Sequence, residues 1–172
     1  MNTQFERKPI FTSVEWYTPG WILKNLGKFD LDPCASIVRP FDIAKINYTM
    51  EDDGLSLPWF GRVWLNPPYS NVQPFIQRMA IHGRGIALLY NRQDMLWWSQ
   101  WNWNCAISIR ILSGRIRFIK SDGSVSGRPG CGSVLIAYDQ ESSAILNNSK
   151  LPGKWFKLGK TRPRNSLVPC AA

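Results

Sequence analysis

Short apolar runs separated by Pro, Gly and polar clusters recur along the chain, and both helical and strand periods can be read from them. Continuous apolar runs at residues 63–65, 85–90 and 133–138 predict strands covered on both faces. Val72, Phe75, Ile76, Met79 and Ala80 follow helical spacing, with Ser70 or Asn71 as the cap and Gly83 near the stop. An earlier helix is predicted with Thr18 as N-cap and Pro19 at its first position. It runs through Trp21, Ile22, Leu23 and Leu26 to Gly27. Residues 28–33 read as a short strand entering a loop, and residues 37–50 as irregular, since Arg39, Pro40 and Asp42 favour a loop. Met95, Leu96, Trp97, Trp98, Trp101 and Trp103 predict a Trp-dense helix, and residues 106–112 alternate as a strand. Ser113-Gly114 then turns the chain into residues 115–119, where Arg and Ile alternate, so a hairpin is expected. Alternating strands and helices with short connections predict an α/β sheet layered on both faces, part of it antiparallel through the hairpin.

Composition narrows the class. The 172 residues, 44% hydrophobic and 19% charged, suit one globular domain with a proper core, and no repeat or second domain is visible. Residues 1–14 carry little pattern and read as a loose lead-in. A net charge of +9 and a pI near 9.7 indicate an anionic partner, nucleic acid being the commonest. No apolar run is long enough to span a membrane, no basic amphipathic helix favours a membrane surface, and residues 1–10 lack a signal-peptide core. A cytoplasmic location is therefore expected. Cys34, Cys105, Cys131 and Cys170 form no C-x-x-C pair, and the chain has one His, so no metal is expected and the thiols are expected to be reduced. Of the nine tryptophans, those at 97, 98, 101 and 103 are assigned to core packing. Beyond Glu141 acidic residues cease, while Lys150, Lys154, Lys157, Lys160, Arg162 and Arg164 accumulate among Pro and Gly. Residues 1–141 are accordingly assigned to the folded domain and 142–172 to a basic, extended tail.

The densest candidate chemistry is Asn66-Pro67-Pro68-Tyr69, delivered by the run Val63-Trp64-Leu65. The prolines fix φ, so carbonyls here are held in place as acceptors. Asn66 adds a side-chain oxygen, and Tyr69 adds a flat ring for stacking on a base. Two fixed acceptors beside a stacking surface suit a planar group bearing an NH2, such as adenine or cytosine; a plain Pro-Pro turn with a capping Asn reads equally well from four residues. Asp32 ends a strand and is followed by Pro33, Cys34, Ala35 and Ser36, where open α/β sheets bind ligands, or it is a turn residue before proline. Glu51-Asp52-Asp53-Gly54 is an acidic turn just upstream.

Taken in order, the segment with Trp16, Thr18 and Pro19, the strand into Asp32 through Ser36, the Asp52-Asp53-Gly54-Leu55 turn and the Asn66 loop resemble the phage-type DNA adenine methyltransferases. Arg92-Gln93-Asp94 and Gly114-Arg115-Ile116-Arg117-Phe118 extend the resemblance, which covers about residues 15–138. It implies a Rossmann-like fold that uses S-adenosylmethionine, with a mostly parallel sheet of seven strands and an antiparallel strand near its end. It also implies that Trp16, Thr18, Pro19, Asp32, Pro33, Cys34, Ala35, Ser36 and Asp53 hold the cofactor. Asn66, Pro67, Pro68 and Tyr69 would form the catalytic loop, acting on adenine N6 in DNA, with protection of phage DNA from restriction as the role. The chain departs from the pattern in lacking a Gly-x-Gly after Asp32.

Arg92, Arg115, Arg117, Lys120 and Arg128 are candidates for tracking DNA phosphates, with Lys154 and Lys157 of the tail adding sequence-independent contacts. Alternation puts Arg115 and Arg117 on one face, where they could equally be edge-strand charges, and Arg92 could simply pair with Asp94. Cytosine N4, RNA, a protein glutamine, or a DNA-binding module with a decayed cofactor site are the rival readings.

Overall fold

The computed structural model describes residues 16–159 and Cys170. The lead-in 1–14, Glu15 and the basic residues Lys160, Arg162 and Arg164 lie outside the described residues. Nine strands and three α-helices are present among the described residues. β1 (Trp16–Tyr17) precedes α1 (Gly20–Leu23), β2 (Phe29–Asp32), β3 (Ala44–Asn47) and β4 (Val63–Leu65). α2 (Val72–His82), β5 (Gly85–Tyr90) and a π-helical segment (Trp98–Trp103) follow. β6 (Ser108–Leu112), β7 (Ile119–Lys120), β8 (Ser133–Ala137), α3 (Gln140–Asn148) and β9 (Gly153–Lys157) complete the order.

Seven strands form one sheet in the order β3-β2-β4-β5-β8-β6-β9. β3, β2, β4 and β5 are parallel, whereas β8 is antiparallel to both β5 and β6, and β9 is antiparallel to β6. Five strands thus point one way and β8 and β9 the other, so the sheet is mixed, its pairings evenly divided between parallel and antiparallel.

Alternation along the central strands divides the core into two layers. Val63, Leu65, Ala87, Leu89, Val134 and Ile136 face α2 and the π-helical segment. Trp64, Ile86, Leu88, Leu135 and Ala137 face the layer of α1 and α3. Burial on both faces is why these strands read as unbroken apolar runs. Trp98 and Trp101 are buried in the first layer, with Trp97 and Trp103 packed against it, as core packing requires.

Four expectations are corrected. Residues 115–119 do not pair with β6, whose neighbours are β8 and β9. The Arg/Ile alternation persists, with Ile116 and Phe118 buried and Arg115 and Arg117 exposed, but only Ile119 and Lys120 are in a ladder, with β1. Thr18 caps no helix; α1 begins after Pro19 and lacks a side-chain cap, and irregular turns carry the chain on to Gly27. Residues 142–157 are not an extended tail, because α3 is capped by Asp139 through the Ser142 N–H (2.8 Å) and β9 completes the sheet edge. Finally, Cys105 and Cys170 are joined in a disulfide, leaving Cys34 and Cys131 as free thiols. Spacing alone gave no pairing, because the partners meet only once β9 returns the chain beside β6.

Candidate active site

Chain order around β2 creates the site. The chain passes from β2 to β3 on one side, then crosses to β4 on the other, so the strand order reverses between β2 and β4. Loops leaving two parallel strands in opposite directions leave a crevice at their carboxyl ends. A cleft of about 430 Å3 occupies that position.

One wall comes from the end of β2. Asp32 is buried, and its Oδ1 accepts the Cys34 N–H at 3.0 Å. Loss of hydration outweighs that bond and pushes its carboxyl up to about 7. Pro33, Cys34, Ala35 and Ser36 line the cleft with it, and burial pushes the Cys34 thiol up as well. The acidic turn sorts its carboxylates by role. Asp52 closes the turn, accepting from the Thr49 N–H and hydroxyl, both at 2.8 Å. Asp53, at φ 51°, lines the cleft with an exposed carboxylate. Gly54 is packed so tightly that a Cβ there would lie 2.0 Å from the Pro33 carbonyl oxygen.

The opposite wall is Asn66, Pro67, Pro68 and Tyr69 at the end of β4. Asn66 donates its side-chain N–H to the Trp16 carbonyl at 3.2 Å. The Pro68 carbonyl accepts the Asn71 N–H at 3.0 Å, starting the 3-10 turn at Tyr69–Asn71. Asn66 Oδ1 and the Pro67 carbonyl accept no hydrogen bond among the described residues, so both remain as acceptors. Trp16 of β1 and Thr18 just after that strand line the cleft, and the buried Thr18 hydroxyl has no partner among the described residues. Pro19 is buried but does not line the cleft.

The structure therefore gathers all four loop residues and all the expected cofactor residues except Pro19 into one cleft. The basic candidates divide. β7 pairs with β1, setting Lys120 opposite Trp16 and one strand from Asn66. Arg115, Arg117 and Arg128 are exposed on the segments flanking β7, Arg115 donating to the Pro129 carbonyl at 2.9 Å. Arg92 follows β5 at the cleft end of the sheet and makes a two-pronged pair with Asp94, both contacts 3.2 Å. Lys154 and Lys157 stand on β9, four strand spacings of about 4.8 Å from β4, and are not brought to the cleft.

Three contributors escaped the sequence reading. Arg39 lines the cleft while bridging Asp42 (2.6 Å) and the Ser36 carbonyl (3.1 Å). Asn47 stands beside Asp32 at the end of β3. Tyr90 ends β5 with its ring stacked on Tyr69. A polar or aromatic residue at the end of a parallel strand was the available signal for Asn47 and Tyr90, whereas Arg39 lies in the loop between β2 and β3 and carried none. Among the described residues no group of three or more His, Cys, Asp and Glu could hold a metal, and no helix is long and apolar enough to cross a membrane.

An α/β protein with a mixed sheet, an acidic strand end and a proline-fixed acceptor loop facing each other across a crevice defines the class. The family model for DNA N-6-adenine-methyltransferase (Dam) matches residues 10–151. The chain belongs to that family. It is also 33% identical over 119 residues to the DNA N-6-adenine-methyltransferase of Haemophilus phage HP1, covering 62% of this chain and 67% of that protein. No solved structure matches the chain significantly.

Proposed function

We propose that this protein methylates the N6 amine of adenine in DNA, using S-adenosylmethionine in a Rossmann-like methyltransferase fold. Family membership supports the DNA adenine substrate. The observation that carries the mechanism is the Asn66–Trp16 hydrogen bond, which fixes the side-chain amide with its oxygen left as an acceptor.

The cleft suits the cofactor. Asp32 offers a carboxylate to a cationic ligand, and Thr18 a buried hydroxyl in need of a partner. Gly54 meets the Pro33 backbone closely enough to shape the wall that a Gly-x-Gly would otherwise shape. Trp16, Cys34, Ala35, Ser36 and Asp53 would complete the enclosure, with Pro19 setting β1 from behind. When bound, S-adenosylmethionine supplies an electrophilic methyl group on a sulfonium.

The chain's own residues prepare the nucleophile. The lone pair of an adenine amine is delocalised into the ring, so the amine attacks poorly. Hydrogen bonds donated by its two N–H groups to Asn66 Oδ1 and the Pro67 carbonyl draw the nitrogen toward tetrahedral geometry and localise that pair. Positive charge developing on nitrogen is met by acceptors already oriented, which costs no reorganisation. Holding the reacting atoms about 3 to 3.5 Å apart adds proximity. A base within a duplex cannot reach such a loop, so it must be flipped out and stacked on Tyr69. Lys120, Arg115, Arg117, Arg128 and Arg92 would carry the phosphates near the cleft, while Lys154 and Lys157 add distant charge. Modified adenine in a host cytoplasm suits protection of phage DNA from restriction.

The test is transfer of labelled methyl from S-adenosylmethionine to unmethylated DNA, followed by nucleoside analysis. N6-methyladenine from the wild type, with at least a hundredfold loss in Asn66→Ala and retained DNA binding, is expected. Label on cytosine N4 would keep the mechanism and overturn the base. No transfer, with no cofactor binding by calorimetry, would leave a DNA-binding module.

A further inference from the structure

A second cavity, of about 420 Å3, adjoins the acceptor loop and shares Tyr69, Ser70 and Asn71 with the main cleft. Its remaining wall comes from the first turns of α2 and from Trp97. Gln73 and Gln77 are one helical turn apart, so both project on the same face. Asn71 stands at the α2 N-cap position, yet its side chain caps nothing. None of these three amides hydrogen-bonds to a described residue, and all three are exposed. Trp97 is half-buried, tilted against Trp98 at 5.8 Å.

The lining carries no ionisable cation or carboxylate, although the chain has a net charge of +9. A phosphate site in such a protein would recruit Lys or Arg. Neutral amides with paired donor and acceptor atoms match the edge of a base, and an indole face matches its plane. Tyr69 is a common wall, so the two cavities lie side by side. Successive bases of a stacked strand are roughly 3.4 Å apart, close enough for one strand to supply both cavities.

We propose that this second cavity holds the base next to the target adenine and that Asn71, Gln73 and Gln77 read its edge, with Trp97 packing on its face. The inference rests on the DNA adenine methylation reading of the adjoining cleft. An amide pairs best with adenine, through N6 and N7, so adenine is the preferred neighbour. Gln73 and Gln77 are therefore specificity residues of the reaction, acting on sequence choice and not on methyl transfer itself.

The experiment is methylation of a duplex library randomised on both sides of a central adenine, read position by position. The wild type should discriminate at one adjoining position, and Gln73→Ala with Gln77→Ala should lower that discrimination about tenfold or more. S-adenosylmethionine affinity by calorimetry and melting temperature should not change, since neither residue touches the main cleft. Gln77→Glu should shift the preference toward cytosine, whose N4 donates to a carboxylate, a change that a merely structural residue would not produce. An unaltered preference in these variants, or a wild type indifferent to its neighbours, overturns the proposal while leaving adenine methylation standing. Absence of adenine methylation by the wild type overturns both.

Discussion

Tyr69 and Tyr90 lie face to face, their ring centroids 3.6 Å apart and their planes within 5°. One comes from the acceptor loop after β4 and the other from the end of the neighbouring strand β5. Tyr90 thus braces one face of the ring, and in the proposed reaction the base would stack on the other. Burial pushes the Tyr69 phenol well above its ordinary range, so the ring stays neutral. Removing the brace in Tyr90→Ala should lower methyl transfer up to about tenfold, the worth of a stacked pair. Tyr90→Phe keeps the stack and should stay near wild type. Steady-state kinetics against DNA concentration separate the two, and equal losses in both variants would refute the bracing role.

Asp32 gives a pH dependence with a definite sign. Burial disfavours the carboxylate and pushes it up to about 7, well above the ordinary carboxylate range. Its contribution to stability is therefore full below about pH 4 and lost as pH rises through 7. Asp32→Asn should be flatter than wild type in a denaturation series over that window. Binding of cationic S-adenosylmethionine calls for the opposite state, so affinity should increase through pH 7 in the wild type and less in Asp32→Asn. Calorimetry at pH 6 and 8 decides it.

Gly54→Ala should damage the cleft from the side away from the loop. The added methyl would meet the Pro33 carbonyl at 2.0 Å, and neither backbone can yield without moving Asp32 or Asp53. A loss of about 1–3 kcal/mol is expected from the overpacking, with a larger fractional loss in cofactor affinity. Urea titration beside calorimetry reads both quantities.

Arg62 tests the frame instead of the site. It is buried over the Phe29 ring, donating to the carbonyls of Leu26 (2.8 Å) and Lys28 (2.9 Å) and to the Ser142 hydroxyl (3.1 Å). It thereby ties the turns after α1 to α3. Arg62→Met leaves those acceptors unsatisfied and should cost about 2–4 kcal/mol. The urea midpoint should fall with an unchanged slope.

Local pattern carried the centre of the molecule and lost its margins. β4, β5 and β8 are covered on both faces, so each announces itself as an apolar run, and α2 shows its buried stripe and its left-handed Gly83 stop. β9 is an edge strand whose Gly153-Lys154-Trp155-Phe156-Lys157 has one open side, and charge there resembles a tail. β3 is the other edge, and its Ala-Lys-Ile-Asn gave no period to read. The candidate loop at Asn66 was legible as a rigid stretch because prolines mark rigid backbone wherever they occur, and the cleft lining includes it. Tyr90 was not, since stacking depends on which strand lies beside β4, and strand order is a long-range property. The Cys105 partner of Cys170 was hidden for the same reason.

The Asn66–Trp16 bond has a consequence for when this protein becomes competent. Trp16 is held in β1, and β1 pairs only with β7, which belongs to the far half of the chain. Such distant pairings bear a loop-closure cost and form late. A chain still being synthesised can have Asn66 in place while the ribbon that orients it has no second strand. The orientation of the Asn66 amide is thus deferred until β7 has emerged, well after Asn66 itself, and a fragment that stops short of β7 lacks the strand that holds Trp16 in place.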